Sequence, residues 1–82
     1  MFFLYILQSC KNGRYYVGST DNVERRLGRH NAGKVKSTKA YLPWRVVRTE
    51  TFADRSEAYR REFQIKSWKK RLMIEKLIGA VV

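Results

Sequence analysis

The sequence predicts an α+β fold: a small three-stranded antiparallel sheet flanked by helices, with the elements in the order β-β-α-β-α-α. Two apolar segments separated by Asn12-Gly13, a β-branched segment after Pro43 and intervening helical patterns predict it. With 82 residues the chain has the size of one domain, so we expect residues 1–82 to form a single domain around one compact core.

The first two strands are predicted to form a hairpin. Residues 2–8 are rich in aromatic and aliphatic side chains, and residues 14–18 are their expected partner. Asn-Gly is typical of a two-residue type I′ turn, which would place Ser9 opposite Tyr16. Since side chains alternate between the faces of a strand and paired residues share a face, Tyr5 and Tyr16 are expected on the same face of the sheet.

Capping residues delimit the predicted helices. Asp21 or Asn22 can cap a first helix that begins near Val23 and ends around residues 31–33. A basic connector over residues 33–42 follows it. After the connector come a strand over residues 44–52, a helix capped by Asp54 or Ser56 that runs to about residue 67 or 68, and a last helix over roughly residues 70–78 that ends at Gly79.

The charge balance indicates a polyanionic partner. The chain has 18 Lys and Arg residues against 7 Asp and Glu, a formal net charge of +11. A field of that sign attracts nucleic acid first and an anionic membrane surface second. Aromatic residues lie among the basic ones and favour nucleic acid, since bases stack on them. The remaining alternative is a basic protein without an anionic partner.

The single cysteine, Cys10, excludes an internal disulfide and fits a reducing compartment, so we expect a cytoplasmic protein. One Cys and one His cannot fill a tetrahedral zinc site. The apolar residues 1–7 are too few to span a membrane and lack the features of a signal peptide. We therefore expect no membrane-inserted segment.

Two polar residues on the first predicted helix point to a site. At 100° per residue, Val23 and Leu27 share one side of this helix and should face the sheet. Arg26 and His30 lie along the edge of that buried stripe. Each alone fits a structural interpretation, an Arg whose stem covers apolar surface or a His that fills the helix end. As a pair beside two tyrosines they favour a functional site.

A carboxylate on the second predicted helix lies where apolar residues are expected. Ala58, Tyr59 and Ile65 mark the inward face, and Glu62 falls between the first two in angle. Burying a carboxylate alone is costly, so Glu62 should ligate a metal or pair with an internal Arg other than Arg61. The sequence leaves both alternatives open.

The remaining basic residues form two groups. The first could follow a phosphate backbone, and such contacts position a nucleic acid without reading its sequence. The second, towards the C-terminal end, is more typical of a solvated face. The first group comprises Lys34, Lys36, Lys39, Arg45 and Arg48, and the second comprises Lys66, Lys69, Lys70, Arg71 and Lys76.

Four segments carry a resemblance to a known family. They are Phe3-Leu4-Tyr5, Tyr16-Val17-Gly18, residues 19–31 with Arg26 and His30, and residues 56–62 with Glu62. In this combination, which spans about residues 2–68, the chain resembles the GIY-YIG nuclease superfamily and is most similar to its short stand-alone bacterial members. Phe3 and Leu4 replace the Gly and Ile of the first motif. Ser19 stands where modules like that of the UvrC repair protein have a Lys.

The resemblance implies a DNA endonuclease that hydrolyses a phosphodiester bond with water and one divalent metal ion, Mg²⁺ or Mn²⁺. Glu62 would hold the metal, for which one carboxylate can suffice because such cations keep several waters. Arg26 would bind the scissile phosphate. Tyr5 would be the leading general base, and His30 would accept or relay its proton, since a free Tyr has a pKa of about 10.

The resemblance also implies roles for two further residues. Tyr16 would position the water or exchange roles with Tyr5, and Gly18 would let the backbone approach the substrate closely. We expect structure-selective or weakly specific cleavage in DNA repair or recombination, with any further selectivity supplied by a protein partner. The alternative is a non-catalytic nucleic-acid-binding module, since a fold alone does not establish activity.

Overall fold

The computed structural model describes residues 1–79, which form a three-stranded antiparallel sheet flanked by helices. The elements in chain order are β1 (Phe2–Ser9), β2 (Tyr15–Thr20), α1 (Val23–Asn31), a short 3₁₀ turn (Lys39–Tyr41), β3 (Trp44–Phe52), α2 (Arg55–Lys66) and α3 (Arg71–Ile78). The sheet order is β2-β1-β3, so β1 is central. The predicted fold class and element order are therefore confirmed. Among the described residues, no helix is both long and apolar enough to cross a bilayer.

The hairpin between β1 and β2 is longer than predicted. The backbone N–H of Ser9 donates to the carbonyl of Arg14 at 2.8 Å, so the loop consists of residues 10–13 instead of two residues. The Ser9 hydroxyl accepts bonds from two N–H groups of this loop, at 3.1 and 3.2 Å, which stabilises the wider turn. The predicted pairing of Ser9 with Tyr16 is wrong, because Tyr16 lies opposite Leu7.

This error in register leaves the tyrosines on the predicted face. Tyr5 lies opposite Gly18, and Leu7 lies opposite Tyr16, a shift of two residues from the predicted pairing. Since side chains alternate with a period of two, such a shift keeps each side chain on its own face. Tyr5 and Tyr16 share one face, with their ring centroids 6.3 Å apart.

The alternation along β1 produces an apolar cluster on each face of the sheet. Leu4 and Ile6 pack on one face with Ile65 of α2 and with apolar residues of α3. Tyr5 and Leu7 lie on the other face, where α1 packs over them. Because β1 is apolar on both faces, helices cover the sheet on both sides. This arrangement places α1 and α2 on opposite faces of the edge strand β2.

The buried stripe of α2 differs from the predicted one. Ala58 and Ile65 are buried as predicted, but Tyr59 is 61% exposed, so its inward assignment is wrong. Residues spaced by three, four and seven share a helical face. The stripe between Ala58 and Ile65 therefore passes through Arg61 and Glu62. Tyr59 lies to one side of it, and its ring is left to solvent.

Side-chain caps fix where the helices begin. The Asn22 side chain accepts a bond from the N–H of Arg25 at 2.9 Å and starts α1, and Asp54 accepts from Glu57 at 2.9 Å and starts α2. Each is one of the two caps predicted. Gly79 ends α3, as predicted, in the left-handed conformation with φ 76°. The start of α1 sets which of its residues face the tyrosines.

Candidate active site

Four of the predicted site residues lie together on the α1 face of the sheet. The Tyr5 hydroxyl lies 3.1 Å from His30 Nε2, and Arg26 Nε donates a long bond of 3.4 Å to the same hydroxyl. The Tyr16 ring packs edge-on against His30, with centroids 4.8 Å apart. Arg26 and His30 reach one phenol because they are four residues apart on α1, about one helical turn.

The Tyr5 ring lies where it does because its partner on β2 is a glycine. A Cβ at Gly18 would lie 2.5 Å from the Tyr5 hydroxyl oxygen and 2.6 Å from Cζ, far inside contact distance. The missing side chain of Gly18 thus creates the space for the phenol. This is a structural reason for the glycine that sequence reasoning missed. Close approach of Gly18 to a substrate stays a prediction.

Thr38 orients His30 and was not identified from the sequence. Its Oγ1 lies 2.8 Å from His30 Nδ1, and the same hydroxyl lies 3.3 Å from the Val35 carbonyl. A carbonyl can only accept, so the Thr38 hydroxyl donates to Val35 and accepts from Nδ1–H. This pattern assigns the proton of the neutral imidazole to Nδ1. His30 Nε2 is then an acceptor, and the Tyr5 hydroxyl donates to it.

Burial sets the protonation of this pair. His30 and Tyr5 are 0% and 1% exposed. Burial, and after it the positive charge of Arg26, lowers the pKa of His30 to about 4, so the imidazole is neutral near pH 7. Burial also raises the pKa of Tyr5, and the hydrogen bond from Arg26 offsets only part of this increase. A standing phenolate at Tyr5 is therefore disfavoured, and His30 Nε2 carries no proton, although the same burial and the charge of Arg26 also disfavour its protonated form.

Glu62 reaches the same edge of the sheet from the opposite face. Its carboxylate accepts bonds from Ser19 Oγ at 2.7 Å and from Lys66 Nζ at 2.6 Å. Lys66 Nζ also lies 5.8 Å from the centroid of the Tyr16 ring, so the carboxylate and the tyrosines meet around β2. The pKa of Tyr5 is raised mainly by burial, less by the charge of Tyr16 and least by the charge of Glu62. The predicted Arg partner is wrong: the ion pair is with Lys66.

The surroundings of Glu62 fit a weakly held divalent cation. Its side chain is 14% exposed, and the Lys66 ammonium already occupies a cation position beside it. The Lys66 side chain is 49% exposed and can move away. No group of three or more His, Cys, Asp or Glu side chains is gathered anywhere among residues 1–79, at Glu62 or apart from it. One carboxylate supplemented by water and phosphate oxygens is a donor set that Mg²⁺ commonly uses.

The residues predicted to follow a phosphate backbone lie on the connector after α1 and on β3. Four of them are exposed, and Arg45 also donates to Gln8 at 2.9 Å. Arg48 instead pairs with Glu50 at 2.7 Å and donates to the Leu77 carbonyl, so it belongs to the packing of α3. The four exposed residues are Lys34, Lys36, Lys39 and Arg45.

A second basic surface, absent from the sequence-based prediction, adjoins Arg26 directly. It is a cleft of about 450 Å³ between α1 and the beginning of α2, and we call it the arginine cleft. Sequence reasoning left Arg25 and Arg29 outside the site, and no local pattern brings Arg55 of α2 near them. The cleft is lined by Ser19, Thr20, Asp21, Arg25, Arg26, Arg29 and Arg55.

Comparison with known proteins agrees with this geometry. A sequence model described as the GIY-YIG catalytic domain matches residues 1–76. A UPF0213 protein of Staphylococcus haemolyticus is 46% identical over 67 residues, which cover 80% of each chain. A UPF0213 protein of Halobacterium salinarum is 43% identical over 67 residues, which cover 80% of this chain and 86% of the relative.

A solved structure extends the likeness to the fold. The solution NMR structure of a UPF0213 protein from Bacillus halodurans matches with a TM-score of 0.59 and 37% sequence identity. The match covers 99% of this chain and 86% of the other. The motif matches, the gathered side chains and the shared architecture agree, and the chain belongs to the GIY-YIG family.

Proposed function

We propose that the protein is a metal-dependent DNA endonuclease that hydrolyses phosphodiester bonds. One observation carries the proposal: the Tyr5 hydroxyl is held between a neutral imidazole that can take its proton and a guanidinium that can bind phosphate. A purely structural tyrosine would need only one of these partners. The net charge of +11 supports a nucleic acid as the substrate.

The bonding of the Tyr5 hydroxyl suggests a proton relay. Its hydrogen is donated to His30 Nε2, and one acceptor position is used by Arg26. A second lone pair is left to accept a bond from an attacking water, which would have to enter with the substrate because Tyr5 is 1% exposed. As the water attacks phosphorus, it passes a proton to Tyr5, and Tyr5 passes its own proton to His30. The relay needs no phenolate before the reaction, which removes the obstacle set by the raised pKa of Tyr5.

The other residues act on the phosphate and on the water. The planar guanidinium of Arg26 suits two non-bridging oxygens of the scissile phosphate. Tyr16, stacked edge-on at His30, holds the water or the sugar-phosphate in line. Glu62 would hold Mg²⁺ or Mn²⁺, and a bound cation would neutralise charge on the leaving oxygen.

We further propose selectivity for DNA structure over sequence, in repair or recombination, where branched DNA arises. The gathered side chains suit phosphate and water, and contacts of that kind do not distinguish bases. We also propose that a protein partner supplies further targeting. A cytoplasmic location is supported by the single, unpaired cysteine.

Cleavage of plasmid and branched DNA with Mg²⁺ or Mn²⁺ tests the proposal. Wild type should cut, whereas Glu62→Gln and Arg26→Ala should lose about a hundredfold or more in rate, as expected for groups that stabilise transition-state charge. Glu57→Gln is the matched control, since Glu57 is an exposed carboxylate on the same helix. Equal rates for Glu62→Gln and Glu57→Gln would refute the role of Glu62.

A non-catalytic DNA-binding module is the second candidate. One observation favours it: Ser19 and Lys66 already satisfy the Glu62 carboxylate without a metal. Salt-dependent DNA binding without cleavage of any substrate, in either metal, would support this alternative and reject the endonuclease.

A further inference from the structure

The arginine cleft has the composition of an anion site. Four guanidinium groups and one carboxylate, that of Asp21, are among its lining groups. Asp21 pairs with Arg25 at 2.6 Å, and both side chains are substantially exposed. Among the described residues, Arg29 makes no salt bridge. Like charges placed in one cleft repel each other, so an anion there would be bound favourably.

The cleft is continuous with the candidate active site through two shared residues. Arg26 lines the cleft and also donates to the Tyr5 hydroxyl. Ser19 lines the cleft and also donates to Glu62. A DNA strand with its scissile phosphate at Arg26 would therefore bring a neighbouring phosphate to Arg29 and Arg55. The connector lysines follow the opposite, C-terminal end of α1.

We propose that the arginine cleft binds a phosphate of the cleaved DNA strand next to the scissile phosphate, so that the strand leaves the active site through the cleft between α1 and the beginning of α2. That the adjacent phosphate is the scissile one rests on the proposed endonuclease function, whereas the binding of a phosphate in the cleft does not. Guanidinium groups suit phosphate because their N–H pairs match its oxygens. The guanidinium carbon of Arg55 lies 4.9 Å from the centroid of the Phe2 ring, and this stacking limits the positions that the guanidinium can take.

Binding measured in EDTA tests the cleft separately from catalysis. The probe is a fluorescently labelled duplex of random sequence, and its affinity is measured by anisotropy between 50 and 200 mM salt. Each duplex phosphate contact contributes about 0.9 to the slope of log affinity against log salt. Arg29→Gln and Arg55→Gln should each reduce that slope by about 0.9. As salt rises from 50 to 200 mM, the affinity of each variant should therefore fall about threefold less than that of the wild type.

A variant that should strengthen DNA binding provides a second test. Asp21→Asn removes the carboxylate that competes for Arg25 and should strengthen binding and steepen the slope. The exposed Asp21–Arg25 pair contributes little to stability, so the variant should fold. Lys76→Gln, an equal loss of charge at an exposed residue of α3, is the matched control. Circular dichroism melting curves establish that each variant is folded.

The outcomes separate the two proposals. If Arg29→Gln and Arg55→Gln show the same slope as Lys76→Gln, phosphate binding in the arginine cleft is refuted, even if the wild type cuts DNA. The expected loss of slope together with no cleavage would support phosphate binding in the cleft and reject the endonuclease. Arg29→Lys, which keeps the charge, should retain most of the slope; a loss as large as that of Arg29→Gln would indicate disturbed packing and count against the cleft.

Discussion

Replacing Thr38 with Val is expected to damage both folding and catalysis, although Thr38 touches no substrate in the proposed mechanism. Val has nearly the same shape, but it cannot accept the Nδ1–H of His30, which now lies 2.8 Å from the hydroxyl. Thr38 and His30 are almost fully buried, with exposed fractions of 1% and 0%. The imidazole must then leave a buried donor unpaired, or move its proton to Nε2.

The two responses have measurable sizes. An unpaired buried donor costs about 1–3 kcal/mol of the free energy of unfolding. Movement of the proton to Nε2 would instead point an N–H at the Tyr5 oxygen, and Tyr5 could no longer pass its proton to His30. Because a general base typically contributes a factor of about 10²–10⁴, the cleavage rate should fall by about a hundredfold or more.

Urea denaturation and single-turnover cleavage measure the two effects, with Thr38→Ser and Ser37→Ala as comparisons. Thr38→Ser keeps the hydroxyl and should retain most of the rate, while Ser37→Ala removes an exposed neighbouring hydroxyl and should resemble wild type. Full activity in Thr38→Val would refute the assigned tautomer. A Thr38→Ser variant as inactive as Thr38→Val would show that the methyl group, and not the hydrogen bond, matters.

Three further predictions follow from contacts in the site. Gly18→Ala should lower the free energy of unfolding by about 1–3 kcal/mol through overpacking against Tyr5, whereas Gly28→Ala, with open space around it, should be neutral or stabilising in thermal melts. Lys66→Met should strengthen Mn²⁺ binding about fivefold in calorimetry, because the competing ammonium is gone; unchanged affinity would contradict the metal position. The folded-state pKa of His30, about 4 against 6.5, means that the unfolded chain binds the extra proton. Stability from the neutral His30 is therefore full above about pH 6.5 and decreases by about 3 kcal/mol as the pH falls to about 4. Urea denaturation of His30→Gln should lack this part of the pH dependence.

Local rules account for much of what the sequence predicted. Caps at Asn22 and Asp54 set the helix starts, and the period of two along the strands kept Tyr5 and Tyr16 on one face despite a register error. The spacing of four between Arg26 and His30 placed both at the same phenol. These relations tolerate small errors in the predicted bounds of an element. The face of a strand residue depends only on whether its position is odd or even, and the face of a helix residue depends only on its spacing from its neighbours.

The contacts that were missed have different causes. The Glu62–Lys66 pair obeys the spacing of four on a helix, so it was readable: Lys66 is exposed, as expected of a solvated face, but it also pairs with Glu62. Thr38 reaches His30 only through the irregular path of the connector, which has no periodic pattern. Arg55 meets α1 only after the sheet has placed two helices on opposite faces of β2, and no local rule specifies that geometry.

Burial creates the difficulty that the proposed relay resolves. The same packing that fixes Tyr5 against Gly18 raises the pKa of the phenol and lowers the pKa of His30. A tyrosine in that position is a poor source of phenolate, yet its hydroxyl lies 3.1 Å from an imidazole that burial keeps neutral and whose proton Thr38 places on Nδ1. Tyr5 stays neutral because it accepts one proton as its own leaves, whereas His30 gains a proton while its Nδ1–H stays bound to Thr38, so the relay places one positive charge on the buried imidazole until that proton is released. Arg26, the one full charge in contact with the phenol, lies where negative charge would develop on its oxygen.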